Sequence, residues 1–239
     1  MSRLKHLIEI TDNLAARLNE LEFGGEVAYV LNPLVYARSA HVVYLERFAK
    51  SAPETILLGM NPGPFGMVQT GIPFGDVVMV RDWLGITSHV KRPATEHPKR
   101  PVMGFDCQRR EVSGTRLWTW AKERFGTPER FFSRFFVANY CPLAFFETSG
   151  KNRTPDKLPA KERRGIYDLC DEALKKTVDI LNPRFCIGIG AFAEQRILAA
   201  GVSDDVVVGR VLHPSPASPL ANKGWAEQVD RQLEALGAL

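Results

Sequence analysis

The chain has 239 residues, of which 45% are hydrophobic and 24% charged, an ordinary composition for a globular protein. Its N-terminus lacks the apolar core of a signal peptide, and no uninterrupted apolar run is long enough to span a bilayer. We therefore expect an intracellular protein without a membrane partner. No repeat, low-complexity tract or flexible linker divides the sequence, so we expect one domain over residues 1–239.

The net charge of +4 is distributed unevenly along the sequence. Between Arg81 and Arg134 there are twelve Lys or Arg residues and six Asp or Glu, and between Lys151 and Arg164 there are six and two. Such clusters fit a surface that binds a polyanion, although composition alone favours an ordinary solvated surface. The four cysteines include no closely spaced pair, which favours reduced thiols over a zinc site or an iron–sulfur cluster.

Hydrophobic spacing predicts alternating helices and strands along the chain. In chain order these are a helix near Arg3–Leu21, a strand at 55–59, a helix from a Ser113 cap to Phe125, a strand at 135–140, a helix from about Pro159 to Leu181, a strand at 184–189, a helix through Phe192 to Ala200, a strand at 206–212 and a helix from about Asn222 to Leu236. Strands that are apolar on both faces and alternate with helices are typical of a parallel sheet between helix layers. We predict an α/β fold of three layers, α/β/α, with a central, mostly parallel sheet of four strands. Residues 60–112, rich in Gly, Pro and charge, are expected to be irregular and functional.

Two Pro-rich loops follow predicted strands. Gly59–Gly66 (GMNPGPFG) follows the first strand, and His213–Pro216 (HPSP) follows the last. Loops at the carboxyl ends of parallel strands line the ligand crevice, so we expect Asn61 and His213 to share one site. Taken singly, each loop is ambiguous: the first lacks the glycine patterns of nucleotide-binding loops, and a lone histidine is more often a packed or surface residue.

Taken together, these segments resemble a known family. Residues 59–67, 69–71 and 73–75 resemble the first motif of the single-strand-selective monofunctional uracil-DNA glycosylases, and 213–216 with 221–225 resemble the second. The segments 111–114 and 139–143 between them also look like family segments, in colinear order over roughly residues 25–236. The resemblance implies a DNA glycosylase that hydrolyses the N-glycosidic bond of uracil in DNA and leaves an abasic site for base-excision repair. It further implies single- and double-stranded DNA as partner, a monomer without metal or cofactor, and a place in the nucleoid-associated cytoplasm of a bacterium or in a eukaryotic nucleus.

The resemblance also implies roles for individual residues. Asn61 would hold the attacking water, and His213 would donate a hydrogen bond to uracil O2. The amide of Asn139 would read uracil O4 and N3–H, and Phe74 would stack on the base. Glycine at position 63 would leave space for a C5 substituent, so oxidised pyrimidines such as 5-hydroxymethyluracil are expected substrates. Further substrate-binding positions are Met60, Phe65 and Met67.

The same resemblance places the loop after His213 against DNA. The expected contacts are Pro214, Ser215, Pro216, Ala217, Leu220 and Lys223. Many family members carry Arg where this chain has Ala217, which puts activity on duplex DNA in doubt, because that Arg wedges into the space left by the flipped nucleotide. Neither motif offers an obvious Lys nucleophile or a carboxylate, which favours a monofunctional hydrolase. Two alternatives stay open: a related glycosylase for hypoxanthine or xanthine, and an inactive homologue that only binds nucleic acid.

Overall fold

A computed structural model describes residues 2–239 as ten helices, seven strands and three 3-10 turns. The helices are α1 (Arg3–Leu18), α2 (Pro33–Tyr36), α3 (Arg38–Phe48), α4 (Met67–Thr70), α5 (Val77–Asp82), α6 (Val112–Phe125), α7 (Pro128–Phe132), α8 (Ala160–Leu181), α9 (Ala191–Ala199) and α10 (Trp225–Leu236). The strands are β1 (Tyr29–Leu31), β2 (Thr55–Gly59), β3 (Phe135–Asn139), β4 (Ala144–Phe146), β5 (Asn152–Arg153), β6 (Phe185–Ile189) and β7 (Val207–Val211). The 3-10 turns are Gly104–Asp106, Pro155–Lys157 and Ala221–Lys223. Within residues 2–239, no helix is long and apolar enough to cross a membrane.

The central sheet has the strand order β3-β2-β6-β7, and every neighbouring pair is parallel. The inner strands β2 and β6 are buried along their whole length, as their uninterrupted apolar sequences require. The edge strand β7 leaves Val207 and Arg210 exposed. Helix α1 packs on α8, α9 packs on β6 and β7, and α10 packs on β7 and α6. The predicted α/β/α fold with a four-stranded parallel sheet is confirmed.

The parallel register brings the ends of all four strands to one edge. Gly59 at the end of β2 pairs with Asn139 at the end of β3, and Ile189 of β6 pairs with Val211 of β7. The loops that leave β2 and β3 are also joined by a backbone hydrogen bond, in which the Cys141 N–H donates to Met60 O at 2.9 Å. The loop carrying Asn61 and the loop carrying His213 therefore leave the sheet at the same edge, as the sequence predicts.

A second sheet lies outside the sequence prediction. Strands β1, β4 and β5 form a three-stranded antiparallel sheet in the order β1-β4-β5. Each strand is only two or three residues long, which is too short to show a period of two. Helices α2 and α3 also fall in the region 22–54, to which the sequence assigns no element. The region 60–112 contains the short helices α4 and α5, so the expectation of an irregular stretch holds only for part of it.

Three predicted boundaries need correction. Helix α1 ends at Leu18 rather than Leu21, since Asn19 takes the C-cap position. Helix α10 begins at Trp225 rather than near Asn222, because Gly224 has a left-handed φ of 99° and separates it from the preceding 3-10 turn. Helix α6 is capped by Glu111, not by Ser113, because the Glu111 carboxylate accepts hydrogen bonds from the backbone N–H groups of Ser113 and Gly114.

Candidate active site

A cavity of about 410 Å³ opens at the carboxyl edge of the central sheet. Its size falls in the range of roughly 300–1,000 Å³ that is typical of small-molecule sites. Eight of the residues predicted from the sequence line it: Met60, Asn61, Gly63, Phe74, Asn139, His213, Ser215 and Pro216. The fold therefore brings the two distant motifs to one cavity. Their individual roles in substrate binding and catalysis stay predictions.

The imidazole of His213 is held in one protonation state. Its Nδ1 accepts a hydrogen bond from the Ser215 backbone N–H at 3.1 Å, so the proton of the neutral ring lies on Nε2. Burial lowers the pKa of His213 to about 4, which keeps the ring neutral at physiological pH. The backbone at Gly190, where φ is 94°, passes close to this ring. A Cβ at position 190 would stand 3.3 Å from the His213 Cβ. The result is a fixed, neutral Nε2–H donor.

The side chain of Asn61 is half-buried and anchored at one end. Its Nδ2 donates to the backbone carbonyl of Leu143 at 3.3 Å, in the loop that follows β3. This bond commits one donor of the amide and leaves Oδ1 as the group available to accept a hydrogen bond in the cavity. Asn61 is thus suited to hold a water molecule, which an amide can orient although it cannot deprotonate it.

Gly59 allows Asn139 and Phe74 to approach each other closely. A Cβ at position 59 would collide with Asn139 Oδ1 and would stand 2.6 Å from Phe74 Cε2. The amide of Asn139 is steadied by Met67, whose Sδ lies 3.3 Å from Nδ2. Met67 is buried and lies behind Asn139, so the structure places it outside the cavity lining.

Phe74 has an unusual backbone for a residue that is not glycine, with φ of 53°. Its carbonyl accepts a hydrogen bond from Trp118 Nε1 at 2.9 Å, and Gly114 must lack a Cβ because one would collide with that carbonyl. The ring lies 6.2 Å from the imidazole of His213, centroid to centroid, at 42°. Contacts with helix α6 therefore hold the Phe74 ring in place as one aromatic wall of the cavity. They also offset the cost of the left-handed backbone conformation, which is of order 1–3 kcal/mol.

Glu111 is a cavity residue that the sequence analysis does not identify as one. Its carboxylate caps α6 by accepting from the backbone N–H groups of Ser113 at 3.2 Å and Gly114 at 2.5 Å. Burial raises the pKa of this carboxyl above its usual range. Glycine at position 66 gives it room, since a Cβ there would stand 2.8 Å from Glu111 Cγ. The segment 111–114 belongs to the family resemblance, but the preference for Ser as a cap points to the wrong residue.

Pro64, Asn152 and Thr154 also line the cavity. Pro64 lies within the quoted first motif, so the motif itself could have identified it. The hairpin of β4 and β5 brings Asn152 and Thr154 to the cavity, and no local sequence pattern predicts them as site residues.

The loop after His213 is held to helix α6 by Arg116, which the sequence analysis also misses. The guanidinium donates to Pro214 O at 3.1 Å and to Asn222 Oδ1 at 2.8 Å. Asn222 in turn donates from Nδ2 to Pro216 O at 2.9 Å, so both ends of the loop are tied to one arginine. The remaining predicted DNA contacts outside the cavity are placed as follows: Pro214 is buried, and Ala217, Leu220 and Lys223 are exposed.

Comparison with known proteins identifies the family. A profile of the Uracil DNA glycosylase superfamily matches residues 46–236. The chain belongs to this superfamily. It is 48% identical over 228 residues to the single-strand selective monofunctional uracil-DNA glycosylase of Rattus norvegicus, a match that covers 95% of this chain and 82% of that protein. It is 47% identical over 224 residues to the corresponding enzyme of Bos taurus, covering 93% of this chain and 82% of that one. The family resemblance inferred from the sequence is confirmed.

The superfamily assignment is also reflected in the fold. The crystal structure of wild-type SMUG2 from Pedobacter heparinus superimposes with a TM-score of 0.65, covering 96% of this chain and 97% of that one. Sequence identity in this match is 17%, so the likeness concerns the fold alone. The cavity described above is thus the candidate active site of a uracil-DNA glycosylase superfamily member.

Proposed function

We propose that this protein is a monofunctional uracil-DNA glycosylase, which hydrolyses the N-glycosidic bond of uracil in DNA and leaves an abasic site. One observation supports this most strongly: Asn61 and His213, from opposite ends of the sequence, line one cavity, each with one side-chain atom already committed to a neighbour. The names of the relatives at 47–48% identity point to the same activity. Their single-strand selectivity makes uracil in single-stranded DNA the first substrate to test.

His213 acts on the departing base. The enzyme first swings the nucleotide out of the stack into the cavity, at a cost of a few kcal/mol. As the N-glycosidic bond breaks, its electron pair leaves with uracil, and negative charge grows on O2. A neutral Nε2–H donor aimed at that oxygen stabilises the anion, by roughly 3–4 kcal/mol if it matches an oxyanion-hole donor. Because burial keeps the imidazole uncharged, His213 works by donating a hydrogen bond rather than by transferring a proton.

Asn61 acts on the attacking water. With Nδ2 held by Leu143 O, the free Oδ1 accepts a hydrogen bond from water and directs its oxygen towards the sugar carbon. The electrophile has oxocarbenium character and is already reactive, so positioning supplies the catalytic effect without a strong base. Water adds to the sugar carbon as uracil departs as an anion. The added water releases a proton to solvent and the uracil anion takes one up from solvent, so no covalent bond to the protein forms.

Asn139, Phe74 and Gly63 select the base. The amide of Asn139 offers one donor and one acceptor, complementary to O4 and N3–H of uracil and opposed to the pattern of cytosine. Phe74 provides the stacking surface. Beside Gly63, the wall of the cavity is Glu111, whose Cγ lies 3.4 Å from where a Cβ would stand. A polar C5 substituent, as in 5-hydroxymethyluracil, would find both space and a polar group there.

The remaining features of the proposal concern the whole protein. Backbone groups of Met60 and Phe65 supply further substrate contacts, with Met67 supporting Asn139. Pro214 is buried and supports the loop, whose residues Ser215, Pro216, Ala217, Leu220 and Lys223 face DNA. Residues 1–239 act as one domain and as a monomer, without a metal or cofactor. The compartment is the one that holds the DNA, either the nucleoid-associated cytoplasm or the nucleus.

A single-turnover excision assay tests this proposal. Oligonucleotides carrying uracil, 5-hydroxymethyluracil, hypoxanthine or xanthine are compared in single and double strands. We expect excision of uracil, with Asn61→Ala and His213→Ala each slower by at least about a hundredfold while DNA affinity is retained. Asn13→Ala, at an exposed position of α1 outside the cavity, is the matched control. Near-normal rates in both cavity variants would contradict the mechanism, and faster release of hypoxanthine or xanthine than of uracil would contradict the substrate.

A further inference from the structure

Phe65 follows the cavity-lining Pro64, but its ring does not line the cavity. The ring instead carries two arginines. The guanidinium carbon of Arg109 lies 3.8 Å from the ring centroid, and that of Arg100 lies 5.2 Å from it. Arg100 is further fixed by donating from Nε to Gly150 O at 2.9 Å. An aromatic ring that holds two guanidinium groups keeps both charges close to the cavity despite their mutual repulsion.

Both guanidinium groups keep their charge unneutralised. Two neighbouring arginines in the same stretch do have carboxylate partners: Arg92 pairs with Glu96, and Arg110 pairs with the buried Asp76. Among residues 2–239, neither Arg100 nor Arg109 has a carboxylate within ion-pair distance, and Arg109 is exposed. Two fixed, uncompensated positive charges beside a cavity indicate a place for an anionic ligand group.

We infer that Phe65, Arg100 and Arg109 form a subsite for backbone phosphate of the bound DNA strand, an inference that rests on the proposed glycosylase function. A guanidinium whose face rests on a ring still presents its N–H edge to solvent. That planar edge matches two phosphate oxygens, which a compact ammonium group cannot do. Phosphate contacts fix the position of a strand without reading its sequence, as an enzyme that acts on any uracil requires. The side chain of Phe65 therefore helps to bind the DNA strand, and only the backbone of Phe65 contacts the uracil base.

The salt dependence of binding tests this subsite. The probe is a single-stranded oligonucleotide with one non-hydrolysable 2′-fluoro-2′-deoxyuridine, and Kd is measured over a range of NaCl concentrations. Arg109→Gln and Arg100→Gln should each lower the slope of log Kd against log salt by about 0.7, the contribution of one phosphate contact on a single strand. Lys50→Gln removes the same charge from an exposed position that precedes β2, at the opposite edge of the sheet, and should leave the slope unchanged.

A chemical scan of the DNA tests whether a particular phosphate is bound. Methylphosphonates that neutralise one linkage at a time should reveal a linkage that matters to the wild-type protein and no longer matters to Arg109→Gln. Phe65→Leu keeps both charges and removes the ring, so Kd should rise about two- to fivefold with the slope retained. Arg109→Lys should likewise keep the slope and weaken binding.

The outcomes separate this inference from the proposed function. If wild-type protein excises uracil but both Arg→Gln variants keep the wild-type slope, the subsite is wrong and the glycosylase activity stands. The same conclusion follows if every methylphosphonate effect persists in Arg109→Gln. If wild-type protein neither excises uracil nor binds the probe, the proposed function itself fails. Because Arg109 and Lys50 are both exposed, thermal unfolding of their variants should match the wild type and confirm folding.

Discussion

Gly59 shows how strongly the site depends on single residues. Asn139 and Phe74 come from separate segments, yet both occupy the space that a side chain at position 59 would fill. Position 59 lies in a buried strand, where an apolar residue is favoured, and the cavity leaves no room for a side chain there. Glycine meets both requirements. His213 is governed in a similar way by neighbours that contribute only backbone: the Ser215 N–H sets its tautomer, and Gly190 gives it room. The positions of the predicted site side chains thus depend on neighbouring backbone groups and on glycines.

The half-buried His213 makes the free energy of unfolding depend on pH. Its pKa is about 4 in the folded protein, against 6.5 for an ordinary histidine, so the unfolded chain takes up a proton first as pH falls. The free energy of unfolding should therefore decrease on acidification, and this residue should account for about 2 kcal/mol between about pH 7 and about pH 4.5. Burial also lowers the pKa of His41, which adds a decrease in the same direction.

Urea unfolding at the two pH values measures this contribution. His213→Asn should lose part of the pH dependence, whereas Asn61→Ala, which changes the same cavity without removing a titratable group, should keep it. Equal pH dependence in wild type and His213→Asn would show that His213 is protonated at an ordinary pKa, and the neutral-donor role would lose its basis.

Helix α6 organises the site more than any other single element. Its N-cap Glu111 lines the cavity, Trp118 holds the carbonyl of Phe74, and Arg116 holds the loop after His213. About two turns of one helix thus position an acidic wall and an aromatic wall of the cavity and the loop that carries His213. A rigid element is better suited to this than the loops themselves, because small displacements at the reacting atoms cost rate steeply.

The tie between Arg116 and Asn222 should affect the rate more than binding. Arg116→Lys keeps the charge but cannot reach Pro214 O and Asn222 Oδ1 together with one ammonium group, so the loop that carries His213 loses its fixed position. We expect the single-turnover rate to fall about tenfold, within the hundredfold that a 1 Å misplacement can cost. Kd for substrate should change little, since the charge remains.

A double-mutant cycle distinguishes positioning from a general loss of packing. Asn222→Ala should slow excision by a similar factor, and the double variant should be no slower than either single one, since all three break the same tie. Additive losses would show that Arg116 and Asn222 act independently. Unchanged rates in Arg116→Lys would show that the loop keeps its position without the tie.

The elements that the sequence predicts share a physical property. Strands β2, β3 and β6 are five-residue apolar runs, and α8 carries its pattern over 22 residues, so local sequence suffices to identify them. Strands β1, β4 and β5 have only two or three residues each. Strand β1 pairs with β4 across more than a hundred positions of chain, from Tyr29 to Phe146, and β5 pairs with β4 in a short hairpin. For the site, the motif residues around Asn61 and His213 are predictable. Glu111, Asn152 and Arg116 are not, since only the tertiary fold brings them to the cavity or its loop.

At the scale of the whole molecule, the topology of the parallel sheet brings the site together. Four parallel strands end at a common edge, so residues between 59 and 216 meet there without any long loop having to cross the sheet. Part of each positively charged stretch also lies beside this edge: Arg100 and Arg109 contact Phe65 in the loop after β2, and Asn152 and Thr154, from the hairpin with β5, line the cavity. Whether the protein prefers single- or double-stranded DNA depends on how readily this surface separates uracil from its paired base.

The loop after His213 bears directly on that preference. Ala217 is exposed, and only its backbone N–H is used, in a bond to Ser215 Oγ at 3.1 Å. Ala217→Arg therefore leaves the loop's own hydrogen bonds intact and adds a wedge for the space that a flipped nucleotide vacates. Extrusion costs more from a base pair than from a single strand, so a wedge should raise excision from duplex DNA more than from single strands. The quantity to measure is the ratio of the two single-turnover rates, since added charge alone helps both substrates.

Two further variants complete this experiment. Ala217→Lys adds the charge without a planar group and should change the ratio less than Ala217→Arg does. Leu220, with 58% of its surface exposed on the same loop, is the competing wedge, and Leu220→Ala would lower the ratio if it already fills the gap. An unchanged ratio in Ala217→Arg together with a lowered ratio in Leu220→Ala would move the wedge from position 217 to Leu220. A raised ratio in Ala217→Arg with no effect of Leu220→Ala would show that this chain is limited on duplex DNA by the small residue at position 217.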